Sequence, residues 1–135
     1  MKPLVPNIDF QQDLVLGHQI TAALAATTTF KLFRTRKRMR FDAVEMVWNA
    51  QVTQDPTDYY VVQAKAGAVV LAAWSFLTGA QGTLAADTFG SLVNSATDAD
   101  LVVPASTEIT LVFTKTGTAA NLPAIGRFNL FGRLI

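Results

Sequence analysis

The feature that most constrains this chain is a succession of strand-length runs rich in β-branched and aromatic residues, separated by turn chemistry instead of helix-period stretches. The clearest run is Thr107-Glu108-Ile109-Thr110-Leu111-Val112-Phe113-Thr114-Lys115, in which Ile109, Leu111 and Phe113 alternate with Glu108, Thr110 and Thr114. That period of two belongs to a half-buried strand. Thr27–Arg34, Tyr59–Lys65 and Ile125–Ile135 also read as strands, and Val69–Leu77 is a near-continuous apolar run of strand length. Asp13–Ala26 alternates more loosely through Leu14, Leu16 and Ile20 before an Ala-rich stretch that a helix could also claim.

Met39–Val52 is longer, and its apolar side switches from Met39 and Phe41 to Val44, Met46, Trp48 and Val52. A bent strand carrying a bulge accounts for the switch. Turn chemistry at Gln54-Asp55-Pro56-Thr57-Asp58 and at Ala66-Gly67-Ala68 should fold the strands flanking each into antiparallel neighbours. Between Thr78 and Asp100 the pattern is lost among small residues and glycines, which predicts a crossover connection, with Thr88–Val93 able to form a helical turn or a short strand. Seven or eight short strands without helices between them predict an antiparallel sandwich or barrel.

A length of 135 residues fits one domain with one core. Pro3 and Pro6 exclude helix at the start of the chain, so residues 1–12 are expected to be an extended arm and residues 13–135 a single domain. The arm has no apolar run long enough for a signal peptide, and no segment offers the ~20 apolar residues of a membrane span, so neither secretion nor membrane insertion is expected. Only 16% of residues are charged and the net charge is +1, against the ~25% or more that free surfaces carry. Part of the surface is therefore expected to be covered by other protein.

The residues needed for chemistry are sparse. With no cysteine and one histidine, His18, the chain lacks thiolate and zinc-thiolate sites, and a triad would have to rest on that single imidazole. Asp98 and Asp100 could offer alternating oxygens to calcium, but hard cations take six or more oxygens, and a solvated loop is the expected reading. No catalytic set, cofactor or metal is expected. The one concentration of charge is Lys31, Arg34, Arg36, Lys37, Arg38 and Arg40, six of the eleven basic residues within ten positions. The remainder is slightly acidic, and nucleic-acid binders spread cations over a face with aromatics placed for stacking. A docking patch for acidic residues of a neighbouring subunit, or a solvated kink, is expected over nucleic-acid contact.

The run from Tyr59-Tyr60-Val61-Val62-Gln63-Ala64-Lys65-Ala66-Gly67 through Leu71-Ala72-Ala73-Trp74-Ser75 and Gly82-Thr83-Leu84-Ala85-Ala86-Asp87-Thr88-Phe89 resembles small jelly-roll proteins encoded among the head genes of tailed bacteriophages. Val103–Gly117 and Gly126-Arg127-Phe128-Asn129-Leu130-Phe131-Gly132-Arg133 are similar to that family's last two strands, and Phe30–Arg34 with its basic bend to its first sandwich strand. The likeness covers residues 27 to 135. Many members have Gly in the turn before the penultimate strand, where this chain has Ser106. The resemblance implies an all-β antiparallel jelly-roll sandwich acting as a cement or decoration protein. Such a protein sits on the virion's capsid surface after synthesis in the host cytoplasm, bridges major capsid protein subunits, and is a dimer or trimer. On that reading, the contact residues are Leu4, Val5, Ile8 and Phe10 of the arm and Arg34, Arg36 and Arg38 of the basic kink. The competing expectations are a carbohydrate- or receptor-binding fibre module using Trp48, Tyr59, Tyr60 or Trp74, and a neck or tail component.

Overall fold

A computed structural model describes residues 13–120 and 122–135. Ten strands are present: β1 (Asp13–Ile20), β2 (Thr28–Arg34), β3 (Met39–Trp48), β4 (Tyr59–Ala66), β5 (Val69–Ser75), β6 (Gly90–Ser91), β7 (Val93–Asn94), β8 (Val102–Val103), β9 (Glu108–Thr116) and β10 (Gly126–Leu134). Among the described residues, no helix is long and apolar enough to cross a membrane.

The pairing is nested, as in one long hairpin rolled on itself. β1 pairs with β10, β2 with β9, β3 with the short β6 and β8, and β4 with β5, all antiparallel. Two further antiparallel ladders, β10 with β3 and β4 with β9, join these pairs into sheets ordered β1-β10-β3-β6 and β2-β9-β4-β5-β7. This is an all-β jelly-roll sandwich. Alternation explains which side of each strand is inside: Tyr60, Val62, Ala64 and Ala66 of β4 are buried, whereas Tyr59, Val61, Gln63 and Lys65 are only half-buried.

An aromatic cluster ties the two sheets together. Trp48 and Phe128 from one sheet meet edge-to-face at 5.6 Å, and Phe113 from the other meets them at 6.3 and 5.4 Å. Such pairs add about 0.5–1.5 kcal/mol each beyond the area they bury. The expected bulge in β3 is present: Ala43 faces Phe131 and Phe41 faces Gly132, leaving Asp42 as the extra residue. Met39 and Phe41 are buried before it, and Val44, Met46 and Trp48 after it.

Several boundaries differ from expectation. β1 ends at Ile20, and the chain then leaves the sheet so that the carbonyl of the buried Leu24 can accept the Tyr60 hydroxyl at 3.0 Å. β3 ends at Trp48 because the Asn49 N–H turns to the Ile125 carbonyl, and Val52 makes only an isolated bridge with Leu84. The expected crossover contains β6 and β7, held by the Leu92 N–H donating to Val44 and the Ser95 N–H donating to Leu71.

Candidate interaction surface

The basic segment runs from the end of β2 through a turn into the start of β3, and the turn is tied down by hydrogen bonds at its first residue. Thr35, at its start, is only 4% exposed. Its N–H donates to the Thr107 carbonyl at 2.8 Å, and its carbonyl accepts the Ser106 N–H at 2.7 Å. Its hydroxyl donates to the Pro104 carbonyl at 2.7 Å and accepts the Thr107 N–H at 2.9 Å. Thr35 thus clamps the basic turn to the turn preceding β9. That second turn places Ser106 at a φ of 62°, the left-handed region that glycine adopts most readily.

The cations of this segment divide by their partners. Lys31 lies 4.0 Å from Glu108 with both side chains exposed, a pair worth little in water. Arg40 meets Asp98 at 2.6 Å and 3.4 Å. The hydrogen bonds to Arg40, and then its charge, hold the Asp98 carboxyl below its ordinary range. The Arg34 Nε donates to the Ser106 carbonyl at 3.4 Å. Arg36, Lys37 and Arg38 are exposed, and none is in an ion pair among the described residues. The other aspartate once considered for a cation, Asp100, accepts the Ser95 hydroxyl at 2.6 Å.

Beside this turn lies an open groove of about 400 Å³ whose apolar wall is Val15, Leu16, Phe33, Met39 and Leu134, with Arg34, Arg36 and Lys37 along its rim. Val15 is 66% exposed. The structure therefore brings Arg34 and Arg36 of the predicted contact set to one groove, with Arg38 exposed on the same turn. Leu4, Val5, Ile8 and Phe10 lie outside the described residues. The clamp of Thr35 on the turn at Ser106 was not anticipated, because the two turns lie about seventy residues apart in sequence, nor was the groove wall, which gathers residues of β1, β2, β3 and β10.

At the opposite end of the sandwich, a cleft of about 580 Å³ is lined in part by Gln51, Gln54, Asp55, Asp58 and Tyr59. Its carboxylates are used to build turns. Asp55 Oδ1 accepts the N–H groups of Thr57 and Asp58 at 2.9 and 2.8 Å, and these bonds hold its pKa below the ordinary value. Asp58 Oδ1 accepts the Thr118 N–H at 2.7 Å. Of the aromatics considered for sugar stacking, Trp48 and Tyr60 are buried in the core, and Trp74 is partly buried with its indole N–H on the Gly82 carbonyl at 3.2 Å. Tyr59 and Tyr60 both line the cleft, and of these two only Tyr59 is more than marginally exposed.

No protein-family model matches the chain, and no curated protein matches it. Among solved structures, the chain is similar to one in the structure of infectious bursal disease virus, Gx strain. That likeness has 16% identity and a TM-score of 0.34, and covers 87% of this chain and 32% of the other. The chain spans about a third of the length of that structure's chain.

Proposed function

We propose that the protein is a non-enzymatic structural component of a virion: a cement or decoration protein that binds the outside of a tailed-phage head and bridges major capsid protein subunits. The observation that carries this reading is the basic turn, whose three exposed cations Arg36, Lys37 and Arg38 have no carboxylate partner among the described residues, yet stand on a backbone clamped by Thr35. A turn ordered in advance loses little entropy on docking. Its cations suit acidic side chains on a capsid subunit, and the adjoining apolar groove supplies the contact that excludes water around them.

In this reading the arm, residues 1–12, is a second contact carrying Leu4, Val5, Ile8 and Phe10. Two contacts on one shell make the second docking event intramolecular and slow dissociation. The test is cosedimentation with heads purified from a lysate in which this gene is deleted. Wild-type protein should pellet with them, Arg36→Glu/Arg38→Glu should bind much more weakly at low salt, and deletion of residues 1–12 should raise the off-rate. Equal binding of wild type and the charge-reversed variant would remove the basic turn from the interface. Failure of the wild type to bind at all would end the capsid reading.

A further inference from the structure

A sheet edge exposes a row of unpaired backbone groups, and soluble proteins blunt such edges by shortness, bulges, charge or proline. Three of the four edge positions here are blunted. β6 and β8, which flank β3, and β7, which flanks β5, are two residues long. β2 is interrupted by a bulge at Leu32 and carries Lys31 and Arg34. β1 carries one charge, Asp13 at its first position, and none of the other devices. It runs eight residues in unbroken register with β10, contains no proline, and is uncharged from Leu14 to Ile20. Among the described residues its outer edge has no partner.

We infer that the β1 edge is the seat of a second copy of this chain, paired antiparallel to β1 across a two-fold axis so that the β1-β10-β3 sheets of two protomers become one continuous sheet. Charge selects this occupant and this direction. Its one charge, Asp13, is at the first position, so the strand can pair antiparallel with its own copy about any residue from Val15 to Gln19 without like charges opposite one another, which would weaken a ladder. Antiparallel pairing also sends the two basic turns, each beside the start of its own β1, to opposite ends of the shared ladder. Eight residues at ~3.4 Å per residue separate them by about 27 Å, well beyond the ~8 Å Debye length at physiological ionic strength. The geometry also leaves both turns free to dock. This inference adds to the capsid reading without needing it.

The chain has no cysteine, so the pairing can be mapped directly. In a two-fold antiparallel ladder, one residue faces its own copy, and only a pair of that proximity closes a disulfide without backbone movement. The full chain is predicted to sediment at about twice its 14.6 kDa. Among single-cysteine variants from Val15→Cys to Gln19→Cys, oxidation should join dimers chiefly at one position. Val15→Lys/Gln19→Lys, both at exposed positions, should give a monomer with unchanged far-UV circular dichroism. A wild-type monomer at micromolar concentration would overturn the inference, as would a dimer that cross-links at none of the five positions or survives both lysines. So would a dimer abolished by deleting residues 1–12 but not by the lysines, which would make the arm the occupant. Each outcome is read without capsids, so it is separate from success or failure of the head-binding test.

Discussion

Two glycines in adjacent strands should respond oppositely to the same substitution. Gly126, on β10, faces Trp48 across the β3 ladder. A Cβ built there would overlap indole atoms Cε3 and Cζ3, with Cδ2 at 3.0 Å. The indole cannot slide away easily, because Trp48 is 1% exposed and wedged edge-to-face between Phe113 and Phe128. Overpacking of this kind costs about 1–3 kcal/mol, offset by the ~0.4–1 kcal/mol that Gly→Ala gains by restricting the unfolded chain. Gly126→Ala should therefore lose about 1–2 kcal/mol, or roughly 3–8 °C in Tm for a domain of this size.

Gly17 lies one strand over, on β1, and a Cβ there comes no closer than 3.6 Å, to Asn129 Oδ1. Gly17→Ala keeps the unfolded-state gain without the clash and should stabilise by about 0.4–1 kcal/mol. The assay is urea unfolding followed by tryptophan fluorescence at one fixed protein concentration, since self-association makes stability concentration-dependent. Trp48→Phe, which shortens the ring, should rescue part of the Gly126→Ala loss, with a coupling of about 0.5 kcal/mol or more in a double-mutant cycle. Equal shifts for the two glycine variants, or a Gly126→Ala protein as stable as wild type, would refute the packing argument.

Thr35→Val removes the hydroxyl that links Pro104 and Thr107. It leaves a part-buried carbonyl and N–H without that partner, so it should cost about 1–3 kcal/mol in chemical unfolding. Ser106→Gly, at a φ of 62°, should stabilise by up to about 1 kcal/mol in the same assay, because a side chain in the left-handed region costs about 1–2 kcal/mol and the added freedom of the unfolded glycine returns part of that. Burial holds the His18 imidazole below its ordinary pKa of 6.5. A base shifted down contributes its full stability above that value and loses it as pH falls below 6.5 toward the folded-state pKa, because the unfolded chain takes up the proton first. Thermal midpoints should therefore fall on acidification below pH 6.5. His18→Phe, which keeps a ring against Phe30 at the present 4.9 Å contact, should flatten that part of the curve.

The strands and the β3 bulge were legible because each leaves a local mark. Alternation at Ile109, Leu111 and Phe113 names the buried face of β9, and the change of parity between Phe41 and Val44 can arise only where one residue is inserted. The bulges at Leu32 in β2 and Leu71 in β5 left no such mark, since Leu32-Phe33 and Leu71-Ala72 are apolar on both sides of the insertion. β6, β7 and β8 are too short for any period to show. The charge run from Lys31 to Arg40 pointed to the candidate surface, but not to which cations are spent: Arg40 meets Asp98, and Lys31 meets Glu108, through contacts that exist only once β3 and β9 are in place. The unguarded edge was further from reach. β1 and β9 both read as alternating strands, yet β9 is paired on both sides and β1 on one. Which strand is left open is decided by the nesting of first strand on last, and no window of sequence around Leu14–Ile20 contains that information.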